Sequence, residues 1–215
     1  MKKFELTTNT KMFLGKKLFQ IKALISFGDV KAGELGGYIE KEENLSQTGD
    51  AWVFDNAWVS GDARVSGNAW VTDNARVTDN ARVFDNAWVS GNAWVSGNAR
   101  VFDNAWVSGN ARVFDNAWVS DNARVSDNAR VSGDAWVSDN ACYTTIKGFG
   151  REYRTTTFFK CKDGKVRVQC GCFYGDLKEF RAIVKETHGE SKKAKEYLMI
   201  ADLMELHFEE NENDK

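Results

Sequence analysis

The chain contains no proline, only two histidines and only four cysteines among its 215 residues. No run of about eighteen apolar residues is present, so we expect no membrane-spanning helix. The basic start lacks both a continuous apolar segment and a small-residue cleavage site, so we expect no signal peptide. Four cysteines in a chain of this length do not indicate a disulfide framework. Together these absences predict a protein of the reducing cytoplasm.

The chain also has almost no excess of charge of one sign, because its formal net charge is only -2. An apolar content of 42% is ordinary for a globular protein and gives the chain enough material for a real core. These values do not indicate a disordered chain or a protein that binds nucleic acid sequence-specifically. Tryptophan, in contrast, is abundant, and all eight tryptophans lie within residues 52–136.

The tryptophans belong to a repeat that occupies the middle of the chain. From Ala51 to Asn140 the sequence reads A-[WR]-V-[SFT]-[GD]-[ND] fifteen times without a break. Ala and Val are two residues apart, so on an extended segment they point to the same side, while Trp or Arg between them points outward. Gly, Asp and Asn favour corners, so each hexad predicts a short strand followed by a corner. Such a chain coils and pairs its strands in parallel.

This pattern resembles the hexapeptide-repeat family, and the resemblance covers about 90 residues. It implies a left-handed parallel β-helix of triangular cross-section with three hexads per coil, and therefore about five full coils. Ile39 and Leu45 are also six residues apart but lie two residues out of phase with Val53, which predicts an irregular first coil.

The fold class that we predict is mainly β, with three parts. Residues 1–48 form a small N-terminal β-cap, residues 49–142 form the β-helix, and residues 143–215 form a C-terminal ββαα module. The segment GELGGYIEKEENLSQTGDAWV and the later segment YGDLKEFRAIVKETHGESKKAKEYLMIADLMELHF resemble parts of uncharacterised bacterial and phage proteins that carry such repeats.

With three hexads per coil, outward residues eighteen apart share one wall of the solenoid. The tryptophan wall carries Trp52, Trp70, Trp88, Trp106 and Arg124. The mixed wall carries Trp58, Arg76, Trp94, Arg112 and Arg130. The arginine wall carries Arg64, Arg82, Arg100, Trp118 and Trp136.

Stacked indoles form a large apolar surface, and Trp and Arg are enriched at binding hot spots. For the tryptophan wall we therefore predict burial in a protein contact, most simply self-association. On the mixed wall the ladder either binds a partner or only stabilises the solenoid, with Arg stacked on Trp. The like charges of the arginine wall are neutralised either by corner Asp residues, which we expect, or by an anionic partner. The predicted interaction surface comprises Trp52, Trp70, Trp88, Trp106, Trp58, Trp94, Arg64, Arg82 and Arg100.

An acyltransferase is the alternative function, because many hexapeptide-repeat proteins use acetyl-CoA with a histidine as general base. Here no loop interrupts the hexads, and no His, Cys, Lys or Glu lies between Ala51 and Ala141. We therefore predict a non-catalytic interaction protein of the bacterial cytoplasm, without a cofactor, that forms a homo-oligomer. A protein or a nucleotide-like small anion is a further possible partner. If a phage encodes the chain, a role against host defence is a hypothesis.

The C-terminal part predicts a β-hairpin over FFKCKDGKVRVQCGC, with Asp163-Gly164 as a type I′ turn, followed by two helices and a solvated tail, EENENDK. Asp176 is expected to cap the first helix, through about Thr187, and the second runs from Ser191 to about Phe208. Three cysteines and His188 raise the possibility of zinc. Pairing Cys161 with Val166, and Cys170 with Thr157, separates the two thiols by roughly 13 Å, which is too far for one tetrahedral ion. We therefore predict no metal site.

Overall fold

The computed structural model describes residues 1–13, 15–150 and 152–209, and the predicted solvated tail lies outside this part from residue 210 onward.

Fifteen strands of two residues, β4 to β18, build the solenoid, one from each hexad. They are Trp52–Val53, Trp58–Val59, Arg64–Val65, Trp70–Val71, Arg76–Val77, Arg82–Val83, Trp88–Val89, Trp94–Val95, Arg100–Val101, Trp106–Val107, Arg112–Val113, Trp118–Val119, Arg124–Val125, Arg130–Val131 and Trp136–Val137.

Each of these strands pairs in parallel with the strand eighteen residues away. Trp70 is the partner of Trp88, and Trp88 is the partner of Trp106. The pairs assemble into three sheets, one for each wall. The prediction of three hexads per coil is therefore confirmed, and the three columns of outward residues lie as expected.

The interior of the solenoid consists of the Ala and Val of the hexads. Every one of them is buried, with at most 1% of its surface exposed. A small residue and a β-branched residue two positions apart fill a narrow interior at each step of the stack, because both point inward. The left-handed sense of the coil, which the resemblance implies, stays a prediction.

The corners explain why position five of the hexad is always Gly or Asp. In every hexad but the last, this residue has a positive φ, for example 57° at Asp85 and 69° at Gly67. Glycine enters this left-handed region freely, and Asp does so more easily than most other residues. The Asn at position six forms ladders, since Asn80 Nδ2 donates to Asn98 Oδ1 at 3.3 Å and Asn98 Nδ2 donates to Asn116 Oδ1 at 3.1 Å.

The N-terminal segment extends one wall of the solenoid. Strand β2 (Lys16–Ala23) pairs antiparallel with β1 (Phe4–Phe13) on one side and with β3 (Leu35–Ile39) on the other, and β3 pairs in parallel with β5. Ile39 pairs with Val59 and Leu45 with Val65, which is a spacing of twenty residues instead of eighteen. This irregular first turn was predicted from the phase of Leu45, and with it the solenoid has about six turns.

The first regular coil directs backbone carbonyl groups away from the stack, and side chains of the N-terminal segment donate to them. Lys3 Nζ donates to the carbonyls of Gly49 at 3.2 Å and Ala51 at 2.9 Å. Asn44 Nδ2 donates to Ala63 at 2.9 Å. Because these carbonyls are satisfied, this end offers few hydrogen-bond acceptors to another strand.

The opposite end of the stack directs N–H groups outward and is capped by acceptors. The N–H of Arg124 donates to Asn140 Oδ1, and the N–H of Arg130 donates to Thr157 Oγ1, both at 2.9 Å. Phe159, which is fully buried, extends the solenoid core at this end. Donor side chains at the start and acceptor side chains at the end thus match the direction of the backbone ladder.

The C-terminal module contains more strands than predicted. Strands β19 (Tyr143–Phe149), β20 (Arg154–Lys160), β21 (Val166–Cys170) and β22 (Phe173–Asp176) form an antiparallel sheet in chain order. The prediction of a hairpin and two helices missed the two outer strands. Helices α1 (Leu177–His188) and α2 (Lys192–Phe208) pack on this sheet around a second core. No helix within the described ranges is long and apolar enough to cross a membrane.

The hairpin between β20 and β21 is confirmed, but its predicted turn and register are wrong. Gly164 N–H donates to the Cys161 carbonyl at 2.9 Å. Between Cys161 and Lys165 only Gly164 has a positive φ. The connection is therefore a four-residue turn that ends in a glycine bulge. The bulge absorbs one residue. Val166 therefore pairs with Lys160 instead of Cys161, and Cys170 pairs with Thr156 instead of Thr157.

The two helices begin and end as predicted to within a residue. Asp176 caps α1 by accepting a hydrogen bond from the Glu179 N–H at 2.8 Å, and Ser191 caps α2 in the same way from Ala194 at 3.3 Å. The buried face of α2 consists of Ala194, Tyr197, Ile200, Ala201, Met204 and Phe208.

Burial of Lys3 generates a testable pH dependence. Desolvation lowers the pKa of Lys3 to about 8, whereas an unfolded lysine titrates near 10.5. Between these values the unfolded state binds more protons, so the free energy of unfolding should rise with pH from 8 to 10.5. A rise of about 3 kcal/mol that Lys3→Met abolishes is expected in denaturant titrations. Lys2→Met, which removes an exposed amine bonded to Glu42, is the matched control and should keep the rise.

Candidate functional site

The tryptophan wall presents a continuous ladder of rings. Trp70 meets Trp88 edge to face, with ring centroids 5.8 Å apart, and Trp88 stacks on Trp106 at 5.2 Å. The guanidinium of Arg124 lies over Trp106 at 5.5 Å and ends the ladder. Aromatic pairs at these distances stabilise the wall by about 1 kcal/mol each beyond the area that they bury.

The polar atoms of two of these indoles are directed into the wall. Trp88 Nε1 donates to Thr72 Oγ1 at 3.4 Å, and Trp106 Nε1 donates to Ser90 Oγ at 3.1 Å, each across one coil. The ring of Trp88 is still 38% exposed. Because the N–H groups of Trp88 and Trp106 are used internally, the surface that these two rings show to the solvent is apolar.

Two predicted members of the interaction surface are not accessible. Trp52 is completely buried, with Phe27 at 5.3 Å from its ring and Phe4 at 6.2 Å. Trp58 is only 6% exposed and packs on Phe13 at 4.5 Å. The prediction failed for these residues because the repeat does not show which coil the N-terminal strands cover. The accessible part of the tryptophan wall therefore begins at Trp70.

On the mixed wall, arginines lie on aromatic rings as the sequence suggested. Arg112 lies 5.7 Å from the centroid of Trp94, and Arg130 lies 5.6 Å from that of Phe114. Arg76 is held at the covered end by Trp58, at 5.9 Å. Cation–π contacts of this kind use the arginines within the wall, which favours a stabilising role for this ladder.

The arginine wall divides into two parts. Arg100 lies 5.0 Å from the centroid of Trp118, and Lys162 Nζ approaches the same ring to 3.8 Å. Arg64 and Arg82 are exposed and adjacent in the ladder. Trp136 ends the wall and is 48% exposed.

The prediction that corner Asp residues neutralise the arginine wall is met only weakly at one end, where Lys41 and, to a smaller extent, Arg64 lower the pKa of the Asp62 carboxyl. Among the described residues, no carboxylate forms an ion pair with a solenoid arginine. Corner carboxylates bind backbone instead: Asp73 Oδ2 accepts the Gly91 N–H at 2.8 Å, and Asp115 Oδ2 accepts the Gly133 N–H at 3.2 Å. These N–H groups lie directly above the carboxylates in the next coil.

The cysteines and His188 of the C-terminal module lie in different surroundings. Cys161 is buried at the end of the solenoid, where desolvation raises the pKa of its thiol to about 11. Cys170 Sγ accepts a hydrogen bond from Thr156 Oγ1 at 3.2 Å, in the second core, and Cys172 is exposed. His188 stacks on Tyr197 at 5.9 Å. Within the described ranges, His, Cys, Asp and Glu form no group of three that could hold a metal ion.

The geometry of stacked coils agrees with a known repeat family. Segments 57–73, 75–91, 81–97, 93–109, 105–121 and 123–139 match the YdcK beta solenoid repeat. The solenoid repeat is similar to that family. No curated protein sequence matches the chain significantly. The match supports the β-solenoid, whereas the resemblance to hexapeptide-repeat enzymes and to phage proteins stays a prediction.

The burial of Trp52 can be tested against a tryptophan that is exposed. Trp52→Ala should lower the free energy of unfolding by about 3–5 kcal/mol, because it leaves a cavity beneath Phe4 and Phe27. Trp136→Ala should cost about 1 kcal/mol, since half of that side chain is in water. Equal losses in denaturant unfolding would contradict the assignment of Trp52 to the core.

Proposed function

We propose that the protein is a non-catalytic interaction protein that self-associates through the exposed tryptophan ladder, formed by Trp70, Trp88, Trp106 and Arg124. The observation that carries this proposal is the difference between the walls in what their indole rings contact. On the other two walls the rings of Trp58, Trp94 and Trp118 lie against arginines. Along the ladder, in contrast, Trp70 and Trp88 contact further rings and keep apolar surface toward the solvent.

Rigidity of this surface favours binding. The ladder is fixed by backbone pairing to the coils above and below, and its rungs are about 4.8 Å apart. The indoles are further held by contacts with one another and by their hydrogen bonds to Thr72 and Ser90. Side chains that are ordered before binding lose little conformational entropy on association, so more of the apolar contact contributes to affinity.

A second copy of the chain is the partner that fits the order of the rungs. In a two-fold symmetric contact with the ladders antiparallel, Trp88 of each copy faces Trp106 of the other. Arg124 of each copy then faces Trp70 of the other, which allows a cation–π contact at both ends of the interface. The net charge of -2 adds little repulsion between the copies.

The end caps support a closed dimer in preference to a fibre. Lys3 and Asn44 occupy carbonyls at one end, and Asn140 and Thr157 accept N–H groups at the other. Strand addition at either end would break these bonds. Association through the side wall leaves them intact.

The acyltransferase alternative receives no support from the walls. A general base must reach the substrate, and the two histidines lie in α1 and α2 instead of the coils.

Our proposal includes the hypothesis that, if a phage encodes the chain, the dimer acts in the bacterial cytoplasm by binding a component of host defence.

The proposed interface is tested by charge substitution. Trp70→Glu combined with Trp88→Glu should convert a dimer to a monomer, because two carboxylates would be desolvated against the rings of the partner. Light scattering coupled to size-exclusion chromatography measures the mass directly, and circular dichroism checks the fold.

The matched control is Trp136→Glu, which places the same charge on an exposed indole of the arginine wall. This variant should remain a dimer. A wild-type protein that is monomeric at about 100 µM, well above the Kd of a stable dimer, would refute the proposal. A double variant, Trp70→Glu with Trp88→Glu, that stays dimeric as the Trp136→Glu control does would refute it as well.

A further inference from the structure

We infer that the arginine wall contains a binding site for a nucleotide, with the base stacked on Phe84 and the phosphate held by Arg64 and Arg82. The site is a surface depression of about 460 Å³ lined by Glu43, Ser46, Arg64, Ser66, Arg82 and Phe84. This site lies on a different wall from the proposed dimer contact and does not depend on it.

The first observation is that two arginines of this wall lack the ring contact that the other solenoid arginines make. Five of the seven solenoid arginines lie over an aromatic ring: Arg76, Arg100, Arg112, Arg124 and Arg130. Among the described residues, neither Arg64 nor Arg82 makes such a contact, an ion pair or a side-chain hydrogen bond. Both are exposed, and both line the depression.

The spacing of these two arginines suits a phosphoryl group. Arg64 and Arg82 are paired in adjacent strands, so their Cα atoms are separated by about 4.8 Å. Two guanidinium groups at this separation can bind one phosphate from both sides, each through paired N–H donors. Two like charges held this close, with Glu43 as the one carboxylate of the lining, leave a net positive charge that favours an anionic ligand.

The second observation is a free aromatic face at the same place. Phe84 and Phe102 are stacked with centroids 5.0 Å apart and planes inclined by only 2°, so Phe102 covers one face of Phe84. Below Phe84 in the same column the hexad carries Ser66, which has no ring. The other face of Phe84 therefore lines the depression, and a planar base could continue the stack there.

Glu43, Ser46 and Ser66 complete the lining of the site. Ser66 and Ser46 are half-buried, Glu43 is exposed, and all three line the depression. Their oxygens can accept hydrogen bonds from the amino groups of a base or the hydroxyls of a ribose. A planar ring, neutral polar groups and one anionic group are the features of a nucleotide, and inorganic phosphate alone would not use the ring.

The inference is tested by titrating the full-length protein with AMP, GMP, CMP, UMP, adenosine and inorganic phosphate in a calorimeter. At least one nucleotide should bind with a Kd below about 1 mM, and more tightly by about tenfold than adenosine or phosphate. Arg82→Ala and Phe84→Ser should each weaken this binding by about tenfold or more.

Ser66→Phe provides a sharper variant, because it places a ring where the base is expected. Phenylalanine occupies this position of the hexad at residues 54, 84, 102 and 114, so the fold accepts it. The variant should keep or raise the melting temperature and abolish nucleotide binding. Ser108→Phe makes the same change on the tryptophan wall, and Arg100→Ala removes the next arginine of the column. Both controls should bind as the wild type does.

Three results would overturn the inference: no nucleotide binds, Ser66→Phe binds as tightly as Ser108→Phe, or phosphate binds as tightly as the best nucleotide. The monomeric Trp70→Glu, Trp88→Glu variant should retain the nucleotide affinity, so failure of the dimer proposal and failure of this inference are distinguishable.

Discussion

Parallel backbone pairing at a fixed interval of eighteen residues is the constraint on which the rest of the structure depends. The N–H of Trp70 donates to the carbonyl of Ala87, and the N–H of Arg82 to that of Ala99, each at 2.9 Å. Since the interval stays constant from Trp52 to Val137, equivalent side chains lie above one another in columns. Valine then packs on valine, asparagine bonds to asparagine, and indole stacks on indole. The interior, the corners and the walls are three results of one register.

The same pairing gives the stack a direction, and the two ends have different chemical requirements. One end needs donors for its carbonyls, which a buried lysine and an asparagine supply. The other needs acceptors for its N–H groups, and a threonine and an asparagine supply those. Burial of the Lys3 amine is unfavourable to its charge, but the neutral amine keeps two hydrogens for the two carbonyls. The cap therefore remains in place whichever protonation state the lysine adopts.

Much of the solenoid could be predicted because its contacts follow from local repetition. The period, the inward Ala and Val, the corner residues and the wall columns all follow from six positions. What failed involves segments that do not repeat. Trp52 and Trp58 are covered by strands about fifty residues earlier in the chain, the outer strands β19 and β22 lack a repeat, and a one-residue bulge at Gly164 shifted the hairpin register. Contacts between distant segments are specified by three-dimensional packing, which the pattern of one segment does not contain.

Positions where a column changes its residue type are the places where the walls can recognise another molecule. Within a uniform column each amide bonds to the amides above and below, and each indole contacts the neighbouring rings. A change from indole to guanidinium, as at Trp106 and Arg124, gives the ladder polarity and lets two copies fit antiparallel. A change from serine to phenylalanine, as between Ser66 and Phe84, leaves one aromatic face without a partner. Both steps interrupt columns that the backbone continues unchanged, so the scaffold remains constant while the outward residues determine what it binds.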